Sequence, residues 1–193
     1  GRYQGRREYL HRMGRPTYRL VRFADDLVVL VKGTKVQAET LLRQLSERVG
    51  SIGLALKPAK TGLTQIDEGF VFLGQRIIRK PKGHKRFVYT LPSNEALASV
   101  KRRVKALTNR SMIRLELAEL LRVLNPVLRG WAAYFRYAAV KRTLAYLGWY
   151  AWWRVIRWLR KKHPRWNWGQ VRRRYFGKDA IRAGGLTLYN PAT

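Results

Sequence analysis

Asp25 and Asp26 stand side by side between Val21-Arg22-Phe23-Ala24 and Leu27-Val28-Val29-Leu30-Val31, in a chain with only 11 acidic residues, 41 Lys and Arg, and a formal net charge of +30. A protein this basic has little use for paired negative charge unless the pair does chemistry. Mg²⁺ takes hard oxygen ligands, commonly one or two carboxylates plus substrate phosphates. Two such ions about 3.5–4 Å apart stabilise the attacking and leaving oxygens of an in-line phosphoryl displacement. Asp25 and Asp26 are therefore candidate metal ligands. The same residues also suit a plain turn, which Asp favours by hydrogen-bonding its own backbone. Lys60, in Lys57-Pro58-Ala59-Lys60-Thr61, could neutralise a triphosphate or be a simple surface lysine. His11 and His163 have no second histidine at ligand spacing, and the absence of cysteine excludes disulfides and thiolate zinc sites.

An apolar run, a short acidic break and a second apolar run predict a β-hairpin with the carboxylates at its tip. Its strands are Tyr18 to Phe23 and Leu27 to Val31, the second apolar throughout, as in a strand covered on both faces. Thr34 and Gln37 read as a capping box. Ala38, Leu41, Leu42, Leu45, Val49 and Ile52 follow at helical spacing, closed by Gly53. This helix is expected on the back of the sheet, holding the hairpin still. A strand is predicted from Thr61 to Ile66, then a turn at Asp67-Glu68-Gly69. Phe70 to Leu73 and Gln75 to Ile78 read as one strand interrupted by Gly74, where a missing side chain admits another backbone. Lys80 to His84 is a turn and Arg86 to Leu91 a return strand. Ahead of the hairpin, Gly1 to Arg22 holds seven arginines with no clear period and reads as an irregular basic connector.

Composition changes at Pro92-Ser93, and all seven tryptophans follow it. A domain boundary is placed there. Helices are predicted over Asn94–Leu107 and Leu115–Leu124. A third begins with Asn125 as N-cap and Pro126 at the first helical position, where a missing N–H costs nothing. A fourth spans Lys141–Lys162, roughly 30 Å long. Its Trp149, Trp152, Trp153 and Trp158 read mainly as core, because aromatic stripes at helical spacing usually are. Candidate phosphate contacts are Arg102, Arg103 and Lys105 on the first helix and Arg129 and Arg136 on or after the third. Arg154, Arg157, Arg160, Lys161 and Lys162 lie on the fourth helix, which has no acidic residue, and Arg172, Arg173 and Arg174 lie in the tail. The Gly184-Gly185 turn is expected to fold that tail back on the helices.

A pI near 11.5 points to a polyanionic partner, nucleic acid above all. No apolar run approaches the ~18–20 residues of a membrane span, so no membrane partner is expected.

The motifs resemble a known family. Phe23-Ala24-Asp25-Asp26 resembles the [FY]-A-D-D hairpin of reverse transcriptase palms. Gly53-Leu-Ala-Leu-Lys-Pro-Ala-Lys-Thr61 resembles the palm segment that ends in Lys-Thr. Phe70-Val-Phe-Leu-Gly74 resembles the primer-grip hairpin. Leu124-Asn-Pro-Val-Leu-Arg-Gly-Trp-Ala-Ala-Tyr-Phe135 resembles the maturase-specific thumb, domain X, of group II intron reverse transcriptases. The four pieces occur in family order, from about Arg19 to the end.

The resemblance implies an α+β fold. Residues 1–92 would be a partial reverse-transcriptase palm, antiparallel β-hairpins with a packed helix, and 93–193 an all-α helical-bundle thumb. It implies the C-terminal half of an RNA-directed DNA polymerase and intron maturase. Asp25 would be the principal metal ligand and Asp26 accessory, both catalytic together with Lys60, while Phe72, Leu73 and Gly74 would form the primer grip. The cofactor would be Mg²⁺ in a two-metal site only partly present. The only acid before Asp25 is Glu8, and its surroundings do not resemble the family's first palm aspartate motif. Nor do the fingers or their Gln-Gly motif occur, so this chain alone is not expected to polymerise. Implied partners are group II intron RNA, a template–primer duplex and an N-terminal fingers/palm half, in an intracellular ribonucleoprotein. A stand-alone RNA-binding splicing-assistance protein without polymerase activity is the alternative, and a generic basic nucleic-acid-binding domain with a coincidental Asp pair is a third reading.

Overall fold

The structure, a computed structural model, describes residues 5, 9–10, 12–177 and 180–192. Much of the basic connector, including Glu8 and His11, lies outside the described residues. The fold is mixed α/β, with helices and small antiparallel sheets. It divides into two compact units, Gly1–Leu73 and Gly74–Thr193.

In the first unit β1 (Thr17–Phe23) pairs antiparallel with β2 (Asp26–Lys32), from Thr17 opposite Lys32 to Phe23 opposite Asp26. Ala24 and Asp25 are the two-residue connection, with Ala24 at φ +52°. After Gly33 comes α1 (Lys35–Gly50). Its capping box forms as predicted: Gln37 N donates to Thr34 Oγ1 at 3.3 Å, and Thr34 N to Gln37 Oε1 at 2.9 Å. The chain leaves α1 through Gly53 at φ +76°, with Leu54 N donating to Val49 O.

Three expectations for this unit need correction. β2 is not covered on both faces: Leu27 and Leu30 are exposed, as are Leu20, Val21 and Phe23 of β1. No residue of α1 is fully buried, although the predicted stripe Ala38, Leu41, Leu42, Leu45 and Val49 is half-buried, so the helix is packed only in part. Two strands and one helix offer too little apolar surface to bury one another, and an isolated two-stranded hairpin is marginal in water. No strand forms over residues 61–66, where the chain is irregular and then turns through bonds from Glu68 N and Gly69 N to Gln65 O. Before it, Pro58–Lys60 makes one 3₁₀ turn, and β3 (Phe70–Phe72) follows.

Leu73 at φ +51° and Gly74 at φ +70° make a turn, so the strand read as interrupted is two separate strands. A Cβ added to Gly74 would meet only Ala96 Cβ, at 3.8 Å, an ordinary contact. Glycine suits the left-handed backbone here. In the second unit β4 (Gln75–Lys82) pairs antiparallel with β5 (Lys85–Pro92) around Gly83-His84, carrying the strand past Lys80, where a turn was expected. Ile78 is buried, Ser93 N donates to Gly74 O at 2.8 Å, and Ala139 N to Thr90 O at 2.8 Å. These bonds tie the hairpin to the helices although the composition changes only at Pro92-Ser93.

The helices of this unit are α2 (Asn94–Leu107), α3 (Leu117–Tyr134), α4 (Lys141–Lys162) and α5 (Trp168–Tyr175). The bounds of α2 and α4 are those the sequence predicts. Ser93 caps α2, its Oγ accepting from Ala96 N at 3.0 Å. The expected break at Asn125-Pro126 does not occur, and α3 runs through it. Leu120, Leu121, Leu124 and Leu128, on both sides of the proline, are fully buried. Their burial, at about 1.5–3 kcal/mol each, outweighs the ~3 kcal/mol cost of an interior proline. Asn125 does not cap: its Nδ2 donates to Thr187 O at 2.8 Å and its Oδ1 accepts from Tyr189 N at 2.9 Å. Those bonds hold the tail, whose β6 (Arg182–Ala183) and β7 (Leu186–Thr187) turn at Gly184-Gly185 and return to α3, as expected. The core joins Val100 and Val104 of α2, the α3 leucines, Leu147, Val155, Trp158 and Leu159 of α4, Val171 of α5 and Ile181. No helix among the described residues is long and apolar enough to cross a membrane.

Candidate nucleic-acid interface

The β1–β2 hairpin carries Asp25 in its connection and Asp26 at the first strand position, both exposed. Arg22 Nε donates to Ala24 O at 2.9 Å, closing the turn beneath them. Among the described residues no group of three or more His, Cys, Asp or Glu could hold a metal ion. Adjacent carboxylates could weakly hold one hydrated cation, but a two-metal site needs more carboxylate positions than this pair supplies. The described residues do not fit the complete two-metal centre. Lys60 is exposed at the end of its 3₁₀ turn, and Phe72, Leu73 and Gly74 are half-buried at the end of β3 and in the turn after it.

The candidate phosphate contacts fall into two groups. Arg102, Arg103, Lys105, Arg129, Arg136, Arg157, Arg160, Lys161, Arg172, Arg173 and Arg174 are exposed. The guanidinium of Arg129 lies 5.2 Å from the Tyr189 ring centroid and that of Arg136 4.5 Å from Tyr137, contacts that orient the side chains and leave charge facing water. Arg154 and Lys162 turn inward. Arg154 bonds the C-terminal end of α2. Lys162 Nζ donates to Ile113 O at 3.2 Å and Leu115 O at 2.9 Å, and pairs with Glu116 Oε1 at 3.0 Å. The charge run of α4 is thus partly balanced by an acid from outside the helix, and these two cations hold the segment between α2 and α3 rather than facing phosphate.

The α4 tryptophans divide as well. Trp158 is buried at 1% exposure and Trp152 half-buried, but Trp149 is 57% and Trp153 40% exposed. A core role for all four is corrected: a 22-residue helix on one bundle buries one face, and these two indoles lie on the other. Nearby Lys101 Nζ donates to Tyr146 Oη at 2.8 Å and sits 5.1 Å from the ring centroids of Tyr146 and Tyr150. That hydrogen bond raises the lysine's pKa, against slight desolvation. Sequence reasoning did not single out this pair, and no local signal joins residues so far apart in the chain. A second aromatic and basic cleft is lined by Trp152, Trp168, Arg172, Arg173 and Phe176.

His163 is a packing residue. Its Nε2 lies 2.8 Å from Tyr175 Oη, and its ring stacks on Trp166 with centroids 4.0 Å apart. Burial, then Lys162, lower its pKa, while Glu116 opposes them. Burial likewise raises that of Tyr175.

Comparison with known proteins places this unit. Residues 97–176 match the family described as group II intron, maturase-specific domain. Protein YkfC of Escherichia coli (strain K12) is 40% identical over 85 residues, 42% of this chain and 22% of the relative. An uncharacterized 91 kDa protein in a cob intron of Schizosaccharomyces pombe is 26% identical over 135 residues, 61% of this chain and 17% of the relative. The chain therefore covers about a fifth of the length of these curated relatives. The matched residues hold α2, α3, α4 and α5, the elements that carry most of the exposed arginines described above. Residues 97–176 are thus similar to the maturase-specific domain of the group II intron family.

Proposed function

We propose that this chain binds group II intron RNA through the exposed basic faces of its helical unit and helps the intron fold for splicing, inside a ribonucleoprotein. The observation that carries the reading is a coincidence of place: the maturase-specific match and a buried, rigid core with arginines on its outer faces occupy the same helices. RNA helices present a wide, shallow minor groove recognised through shape, 2′-hydroxyls and phosphates. Arginine's planar fork pairs with phosphate and stacks on bases, which suits it to that surface. The second relative's description as a protein in an intron agrees with this context. The test is competition at fixed salt between a group II intron RNA and an unrelated structured RNA of equal length. Stronger competition by the intron is expected, and equal competition would reduce the chain to a generic basic nucleic-acid-binding domain.

A second reading is favoured by the carboxylates at the hairpin tip. In it, residues 1–92 are late palm of a reverse transcriptase and 93–193 its thumb. Phe72, Leu73 and Gly74 grip the primer of a template–primer duplex, and Lys60 faces the incoming triphosphate. Asp25 and Asp26 would contribute to holding Mg²⁺, which would supply Lewis-acid stabilisation of the transferring phosphoryl group. The rest of the ligand set must come from another segment, such as a fingers/palm half. Without one, the chain is a splicing-assistance protein. Mg²⁺-dependent primer extension by this chain supplied with a fingers/palm half, lost in Asp25→Ala, would establish the polymerase, and no extension in that mixture leaves the binding function alone.

A further inference from the structure

One face of α4 repeats with the helical period. Arg142, Tyr146, Trp149, Trp153, Arg157 and Arg160 are all exposed. At 3.6 residues per turn they fall within an arc of about 80°, over an axial length of about 27 Å. Three aromatic rings are thus bracketed by arginines. Tyr146 stacks on Trp149 with centroids 6.0 Å apart and planes inclined by 28°, and Trp149 meets Trp153 edge-on at 6.4 Å. The core does not require these rings, because Leu147, Ala151, Val155, Trp158 and Leu159 bury the opposite face of the helix. The Lys101 ammonium, hydrogen-bonded to Tyr146, fixes the first ring and adds a cation at the edge of the row.

We propose that this stripe is a stacking platform for unpaired RNA bases, with Arg142, Arg157 and Arg160 taking the flanking phosphates. It rests on the RNA-binding reading and states which part of an RNA this face receives. Every base has a π-face, so exposed indoles accept unpaired nucleotides of any sequence, and arginine takes the backbone. A duplex hides its base faces within the stack and would engage the arginines alone. Charge argues against a second copy of the chain: an antiparallel two-fold contact through this stripe would bring arginine clusters together, and no Asp or Glu occurs between Lys141 and Lys162 to relieve them.

The test is fluorescence anisotropy with a 12-nucleotide RNA that cannot pair with itself and an RNA duplex of equal phosphate number, at one salt concentration. W149A/W153A should bind the single strand at least about tenfold more weakly and the duplex within about twofold of the parent. W149F/W153F should retain most of the single-strand affinity. A 4-thiouridine in the single strand should crosslink to the peptide that carries Trp149 and Trp153, a readout needing no variant. Unchanged single-strand affinity in W149A/W153A, an equal loss on both RNAs, or crosslinks confined to other peptides would overturn the platform while leaving RNA binding intact. Binding of neither RNA by the parent protein would overturn the RNA-binding reading and the platform with it. A parent dimer in sedimentation that W149A/W153A converts to monomer would make a second copy the occupant and overturn the proposal.

Discussion

Arg154 of α4 donates from Nε to Thr108 Oγ1 at 2.9 Å, across the junction where α2 ends. Its Nη2 also bonds Thr108 O at 3.0 Å and Lys105 O at 3.2 Å. The last carbonyls of a helix lack internal partners and carry partial negative charge, so a guanidinium satisfies both needs. Arg154→Met should lower the stability of the helical unit by about 1–3 kcal/mol. Urea denaturation checks the loss, and the folded variant should keep its RNA affinity. Replacing Arg157, Arg160 and Lys161 with Ala should do the reverse: weaker RNA binding at constant helix content by circular dichroism.

Pro126 lies inside α3. There it removes a backbone donor and crowds the preceding turn, whereas at the first position of a helix it would be well placed. Pro126→Ala should therefore stabilise the protein, by up to ~3 kcal/mol, less whatever the proline gains by restricting the unfolded chain. A thermal scan that shows lower stability would restore the helix break. Asn125→Ala should instead destabilise, by about 1–2 kcal/mol, through loss of two bonds to the tail. Faster hydrogen exchange at Tyr189 would locate the effect.

His163 gives stability a pH dependence of known sign. Its pKa in the folded protein is lowered by burial and by Lys162, so below the ordinary value near 6.5 the unfolded chain binds more protons than the folded one. The contribution is complete above about pH 6.5 and is lost as pH falls through the lowered pKa. The urea midpoint should drop between pH 7.5 and pH 5. In His163→Gln the drop should be smaller, and an identical drop would exclude the imidazole as its source.

Asp25→Ala removes one negative charge at an exposed hairpin tip. Affinity for intron RNA should stay constant or rise slightly, because a charge that repels phosphate is gone. A large loss of affinity with an unchanged circular dichroism spectrum would count against the carboxylate as a metal ligand.

Local chemistry made much of this chain legible. Thr34 and Gln37 announced the start of α1, and helical spacing the bounds of α2 and α4, because caps and helical periods act over a few residues. The carboxylate tip between two apolar strands and the Gly184-Gly185 reversal were readable for the same reason. Asn125-Pro126 misled because its local signal for a new helix was sound, yet the buried leucines on both sides outweighed it. The same limit applies to surface chemistry. Arg154 and Arg157 read alike, as do Trp153 and Trp158, and only packing against α2 and the segment before α3 sorts them into inward and outward sets. The sequence by itself determined the excess of cations, the helical periods and the acidic tip. Tertiary structure decided which cations remain for phosphate and which indoles remain in water, because those outcomes depend on partners more than 40 residues away in the chain, such as Thr108 for Arg154 and Leu115 for Lys162.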